Sequence, residues 1–152
     1  MTDNQPPNPL KLIGRATRGF TRVADADLRE IGFATGQIPV LAALKQHKAL
    51  SQAELARLAR VEQPSMAQLL TRMERDGLVE RVADPADKRS RLISLTAAAI
   101  KRMPKAKAIM DQRKDEALDG FSADETAQLL ALLLKLNANI DRMNGDTGAP
   151  EA

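Results

Sequence analysis

Between Ser51 and Thr96 the chain carries its own punctuation, and the order of the marks leaves few folds open. "LSQAEL" opens a helix. Ser51 and Glu54 stand at capping-box spacing, where each side chain satisfies the other's backbone N–H, and Leu50 with Leu55 makes the hydrophobic staple beside it. That helix is short, ending near Ala59. A tight "RVE" connection leads into "QPSMAQLLTRMERDG", where Pro64 suits a first turn whose N–H groups have no helical partner and Gly77 suits the C-terminal cap. Two short apolar runs follow, "LVERVA" (78–83) and "RLISL" (91–95), and read as strands. Helix, tight turn, helix and two-stranded hairpin, in that order, outline a winged helix-turn-helix.

Helical periodicity continues on both sides. From Leu10 onward, Leu10, Ile13, Phe20, Ala24, Leu28 and Ile31 fall on one side. Lys11, Arg15, Arg18 and Arg22 follow at steps of four, three and four, a basic stripe on another face. The segment ends in "EIGFATGQ", with Thr35 as the expected N-cap of a helix over 36–46 that carries Ile38, Val40, Leu41 and Leu44. Thr96 caps a long helix, "AAAIKRMPKAKAIMDQRKDEALDG", which Pro104 is expected to kink or break. Ser122 and Glu125 repeat the capping-box spacing and open a last helix to about Met143.

Core material agrees with so much helix. The chain is 43% hydrophobic, enough for a core, but has three Phe and neither Trp nor Tyr, so Leu and Ala must fill it. The fold class expected is mainly α with a small β-hairpin wing: a winged helix-turn-helix flanked by long N- and C-terminal dimerisation helices. In domain terms, 1–9 is a disordered arm and 10–34 with 97–143 a helical dimerisation region. Residues 35–96 are the winged domain, and 144–152 a disordered tail. Dimerisation is read from "LLALLLKL", where Leu covers most of the helix circumference, more than one small domain buries. A central helix in a monomer is the other reading.

Several function classes fall away. With no Cys there is neither a disulfide nor thiol chemistry, which fits a reducing cytosol. The start "MTDNQPPNPL" lacks the basic-then-apolar order of a signal peptide, and the longest apolar run, "LLALLL" (129–134), is far too short to span a bilayer. The expected setting is cytoplasmic, with no membrane partner. One His, no Gly-rich phosphate loop and no paired carboxylates on a cleft leave no enzyme, cofactor or metal site to propose; Asp25 with Asp27 and Asp84 with Asp87 have turn and surface roles.

A nucleic-acid partner fits the rest. Net charge is +3 and the sequence pI about 9.4, which leaves an anionic partner open. In "QPSMAQLLTRMERDG", Met66, Leu69, Leu70 and Met73 share one face, while Ser65, Gln68, Arg72 and Arg75 share the opposite one, with Gln63 near the N-terminus. Gln, Ser and Arg are residue types that hydrogen-bond base edges in the major groove. A solvated face on any surface helix accounts for that helix equally well. The hairpin tip, "DPADKRSR", shifts the balance. Asp84-Pro85-Ala86-Asp87 reads as a turn with Pro presetting its second position. Lys88, Arg89 and Arg91 sit at or beside the tip, where Arg fits a narrow minor groove and Asp87 is placed to orient the Arg89 guanidinium.

The stretch "VEQPSMAQLLTRMERDGLVERVADPADKRSRLISLT" resembles the core signature of the MarR family of bacterial and archaeal transcription regulators. The family pattern has a Ser-containing recognition helix, a Leu–Glu–x–x–Gly–Leu–Val–x–Arg passage, and an Asp-Pro-x-Asp-x-Arg wing followed by Leu-Thr. Met73-Glu74-Arg75-Asp76-Gly77-Leu78-Val79-Glu80-Arg81 matches the passage with Met for Leu; Asp84 to Arg89 matches the wing, and Leu95-Thr96 follows. The likeness spans about 10–143 and is tightest over 50–96. It implies a homodimer with intertwined end helices on a palindromic double-stranded DNA operator. Base contacts would come from Gln63, Ser65, Gln68 and Arg72, minor-groove insertion from Arg89, and phosphate contacts near Ser51, Gln52 and Lys88. Asp87 and Arg91 complete the expected surface. Many members carry Thr-Arg where this chain has Ala67-Gln68, and Gln prefers adenine where Arg prefers guanine. The resemblance also implies a repressor released by a small anionic or phenolic effector, with Arg15, Arg18 and Arg22 as candidate ligand contacts. Ion pairs of those arginines with Asp111, Asp115 and Glu116 are the plainer reading. A winged-helix module that binds protein and never DNA is the rival function.

Overall fold

The computed structural model describes residues 6–146. In chain order it holds α1 (Pro9–Glu30), a 3-10 turn (Thr35–Gln37), α2 (Ile38–His47), β1 (Ala49–Leu50), α3 (Gln52–Ala59), α4 (Gln63–Arg75), β2 (Val79–Ala83), β3 (Arg91–Leu95), α5 (Ala97–Ala117) and α6 (Ala123–Met143). These fall into two compact units that divide between Arg113 and Lys114.

The first unit is built on one apolar cluster. Leu28 of α1, Leu44 of α2, Leu55 of α3, Met66, Leu70 and Met73 of α4, Leu78, and Ile93 of β3 are all at most 2% exposed. Each such side chain contributes about 1.5–3 kcal/mol on leaving water, so the helix-turn-helix and the wing share a single source of stability. The sheet is antiparallel in the order β1-β3-β2, with Val79 opposite Leu95, Arg81 opposite Ile93 and Ala83 opposite Arg91.

The local signals work as the sequence implies. Ser51 Oγ accepts the Glu54 N–H at 3.1 Å and Glu54 Oε2 accepts the Ser51 N–H at 2.8 Å, so both orphan donors of α3 are satisfied reciprocally. Past α4, Leu78 N–H reaches the Met73 carbonyl at 2.8 Å and Gly77 N–H the Glu74 carbonyl at 3.1 Å. That pair of bonds needs a left-handed residue, and Gly77 has φ +72°. Leu78 and Met73, joined by the first bond, are both fully buried, which ties the end of α4 to the start of the wing.

Some expectations change. Thr35 is not a helix N-cap: it lies inside the 3-10 turn, and its backbone N–H donates to Asp25 Oδ1 on α1 at 2.7 Å. A tertiary acceptor took the place of a local cap. β1 was not expected; two residues show no alternation, and only pairing with Ser94 and Ile93 defines the strand. Pro104 does not break α5, which runs through it. The helix loses one backbone donor there, while Met103, Ala106, Ile109 and Met110 on either side pack on the core and hold both halves in place.

Asn8 caps α1 through its side-chain oxygen, which accepts the Leu10 N–H at 2.9 Å, so ordered structure begins inside the segment expected to be a loose arm. At the other end, 144–146 close α6, with Asp146 N–H reaching the Asp141 carbonyl at 2.9 Å. The remainder of the expected arm (1–5) and tail (147–152) lies outside the described residues.

In the second unit, α6 starts with the second capping box: Ser122 Oγ accepts the Glu125 N–H at 3.1 Å, and Glu125 Oε1 accepts the Ser122 N–H at 3.0 Å. No residue of α6 is buried. Leu130, Leu132 and Leu134 are 57–64% exposed, and Met143 83%.

Candidate nucleic-acid interface

α4 divides its residues by face as the periodicity implies. Met66, Leu70 and Met73 are fully buried; Gln63, Ser65, Gln68 and Arg72 are exposed. Leu69 packs on the core edge. Glu62, at the N-cap position, makes no side-chain cap, and no acidic side chain lies in the first turn. Pro64 has no N–H and Met66 N–H is taken by the Glu62 carbonyl at 2.9 Å, so the N–H groups of Gln63 and Ser65 are the ones left open to an outside acceptor, where a helix N-terminus attracts an anion. Arg75, further along, pairs with Asp76 at 3.1 Å. None of the described ion pairs involves Arg72.

The wing tip consists of two successive turns, each stabilised by an aspartate. Asp84 Oδ1 accepts the Ala86 N–H at 2.9 Å, and the Asp84 carbonyl accepts the Asp87 N–H at 3.3 Å. Asp87 Oδ1 then accepts the Arg89 backbone N–H at 2.9 Å, and the Asp87 carbonyl accepts the Ser90 N–H at 3.0 Å. Asp87 thus binds the Arg89 main chain and not its guanidinium, a correction to the sequence reading. A short carboxylate reaches a backbone N–H two residues on more readily than a distant guanidinium. The charges of "DPADKRSR" now sort by role. The aspartates shape the loop, and Lys88 and Arg89, central in the second turn, project their exposed side chains outward with Arg91 exposed beside them.

Two ties hold this wing against α4. Arg81 Nε of β2 donates to Glu74 Oε2 of α4 at 2.9 Å. Thr96 Oγ1 donates to the Gly77 carbonyl at 2.6 Å, its N–H reaches the Leu78 carbonyl at 3.1 Å, and its Oγ1 accepts the Ala99 N–H at 3.2 Å, capping α5. An exposed ion pair such as Glu74–Arg81 contributes only about 0–1 kcal/mol, so its main effect is on the angle between helix and wing. The sequence places Glu74 and Arg81 only as motif positions and Thr96 also as the cap of α5; their spacing around Gly77 was the signal of a tie. Ser51 is engaged with Glu54 in the cap, its Oγ accepting the Glu54 N–H, and Gln52 beside it is half-buried.

Arg15, Arg18 and Arg22 lie exposed along α1. They do not line either of two adjoining clefts between α2 and α5. One, of about 230 Å³, is lined by Ile38, Leu41, Lys45, Met103, Lys107 and Met110 among others. The second, of about 460 Å³, shares Lys45 and Met103 and adds Leu44, Lys48, Leu95 and Pro104. Of the acidic residues considered as ion-pair partners for α1, Asp111 pairs with Lys107 and Asp115 with Lys114.

Residues 31–90, covering the helix-turn-helix and most of the wing, match a family model described as "MarR family". The transcriptional regulator PA3341 is 31% identical, with 87% of this chain and 97% of that one aligned and a TM-score of 0.72. The chain belongs to the MarR family. A cysteine-to-serine mutant of E. coli MarR complexed with operator DNA is 25% identical over 83% of this chain and 91% of that one, at a TM-score of 0.76. The S. aureus MepR–DNA complex, at 24% identity, shares the fold over 88% of this chain and 96% of that one, with a TM-score of 0.78. As a MarR-family protein the chain is a DNA-binding transcription regulator, not an enzyme. No helix among the described residues is long and apolar enough to cross a membrane.

Proposed function

We propose that this MarR-family regulator is a homodimeric repressor that binds a palindromic operator. The observation that carries the reading is the pairing of an outward polar face on α4 with a wing tip whose aspartates are engaged and whose cations are exposed. In it Gln63, Ser65, Gln68 and Arg72 read base edges in the major groove, Arg89 enters the adjacent minor groove, and Lys88, Arg91, Ser51 and Gln52 meet phosphates. Asp87 acts indirectly, by fixing the turn that presents Arg89. E. coli MarR and S. aureus MepR, seen with DNA, support the same use of the fold.

Residues 35–96 form the DNA-binding domain, and 10–34 with 97–143 the dimerisation region. Exposed Leu130, Leu132, Leu134 and Met143 on α6, with Leu10 and Leu12 of α1 about half exposed, support the dimer, because water-facing leucines in that number call for a partner surface. A regulator of this kind works where the chromosome lies, in the cytoplasm. Release from the operator is assigned to a small anionic or phenolic ligand, with Arg15, Arg18 and Arg22 as its cationic contacts. The apolar clefts between α2 and α5, bordered by Lys45, Lys48 and Lys107 and not by these arginines, support a ligand of that chemistry but not its contact with α1. Such a ligand must favour a dimer state unable to bind DNA, since equal affinity for both states shifts nothing.

Selection of bound sequences from a random duplex pool tests the proposal. The expected product is one motif with twofold symmetry; a pool that stays random after several rounds would overturn it.

A further inference from the structure

The segment between α1 and α2 is gripped by a side chain from elsewhere in the first unit. Arg102 of α5 donates through Nη1 to the Ile31 carbonyl at 3.0 Å and through Nε to the Ala98 carbonyl of its own helix at 3.1 Å. Its guanidinium lies over the Phe33 ring, 5.4 Å from the centroid, and Phe33 is a core residue only 2% exposed. Between Ile31 and Phe33 stands Gly32, with φ +80°, and a Cβ there would meet Arg102 Nη1 at 2.5 Å. The guanidinium thus fills the space a side chain at Gly32 would take. A cation on the last carbonyls of α1 is also favoured by the helix dipole.

The grip matters because, among the described residues, the buried anchors of α1 lie near its C-terminus. Of its 22 residues, Ala24 and Leu28 alone are buried. Two further polar contacts hold the same end: Asp25 accepts the Thr35 N–H, and Asp27 Oδ2 receives Arg113 Nη2 at 2.6 Å and Nε at 2.7 Å. Among the described residues no tertiary hydrogen bond or ion pair of this kind is seen on the first half of the helix, where no residue is buried. A helix of this length is a lever of about 33 Å. A pivot of ~6° at Gly32 moves its far end by ~3.4 Å, the rise of one base pair. Gly32 is the natural pivot, since its backbone bears no side chain and adopts a φ that other residues avoid.

We infer that Arg102 is a positioning residue that sets the half-site spacing of the operator, by locking the angle at which α1 leaves the winged domain. The inference rests on the homodimer reading, in which α1 joins the two winged domains. The contacts of Arg102 are with Ala98, Ile31, Phe33 and Gly32, none of them a proposed DNA contact, so it acts through Gly32 and Phe33.

The test compares wild-type protein with Arg102→Met, which keeps the side-chain stem and loses every donor, and Arg102→Lys, which keeps one donor. Each is assayed for dimerisation by sedimentation and for affinity on the selected operator and on operators with one base pair added or removed at the centre. Wild type is expected to lose roughly tenfold or more on either altered spacer. Arg102→Met, still dimeric, is expected to lose only ~3-fold, with Arg102→Lys in between and with an unchanged salt dependence on the selected operator. A dimeric Arg102→Met that keeps the wild-type spacer penalty, or weakens on all three duplexes by the same factor, overturns the inference, because a merely structural role gives that result. Should Arg102→Met fail to fold, Arg102→Lys decides by the same criterion. Failure of the dimer reading shows separately, in wild type alone, as a monomer or as indifference to spacing, and it removes the inference too.

Discussion

The winged segment and α6 use similar apolar residues to opposite ends. From α2 to β3, Leu, Met, Val and Ile side chains converge on one cluster, and helix and wing are tied by hydrogen bonds at Gly77, Leu78 and Glu74. α6 is richer in Leu and begins with an equally complete capping box, yet none of its residues is more than partly buried. Good local signals make a helix in both places, but only long-range packing makes a core. The difference teaches that the winged segment is specified within the chain, whereas the exposed leucines of α6 find no core there and, on the homodimer proposal, are addressed to a second surface.

The sharpest break of that contrast is a cavity in the winged core. Met73→Ala should lower unfolding stability by about 2–5 kcal/mol at any protein concentration, read from urea denaturation. In α6, Leu132→Glu should instead leave a folded winged segment and abolish the dependence of the urea midpoint on protein concentration, with a monomer in sedimentation. A concentration-independent midpoint already in wild type would erase the contrast.

Within the winged segment the two parts proposed to face DNA should separate next. Arg72→Ala is expected to cost ~1–3 kcal/mol on the selected operator and to relax preference at one base position. Arg89→Ala should weaken binding through groove shape and charge, with base preferences retained. The same loss on specific and random duplexes for both variants would contradict this division.

The smallest effect concerns the two capping boxes. Hydrogen bonds from the backbone of Ser51 and Ser122, and then from their hydroxyls, hold Glu54 and Glu125 below the ordinary carboxylate value of 4.5. A lowered folded value means that each ionised carboxylate supports its cap above pH 4.5 and stops doing so as pH falls through the lowered value. Circular dichroism should show slight fraying below pH 4.5, and Glu54→Gln with Glu125→Gln should remove that step. The α3 cap, beside a core, should fray less than that of α6, none of whose residues is more than partly buried.

What could be read from sequence followed how local each signal was. The capping boxes, the Gly77 stop and the two faces of α4 depend on residues within a turn or two of each other, and the structure agrees with them. Three points needed distant partners. The N–H of Thr35 is taken by Asp25, β1 exists only through β3, and Arg102 reaches Ile31 from 71 residues along the chain. The error at Asp87 was one of reach: the residue pair was right and the atom wrong. Pro104 in α5 was misjudged because tertiary packing on both sides outweighed one missing hydrogen bond.

The most direct measurement is titration of the selected duplex and of its scrambled counterpart across a salt series. Log K on both should fall with log salt at a slope of about −0.9 per neutralised phosphate. The selected duplex should keep a surplus of affinity at every salt concentration, bound as a dimer. Identical curves for the two duplexes, or no salt dependence on either, would contradict the assignment of α4 and the wing to sequence-specific DNA recognition.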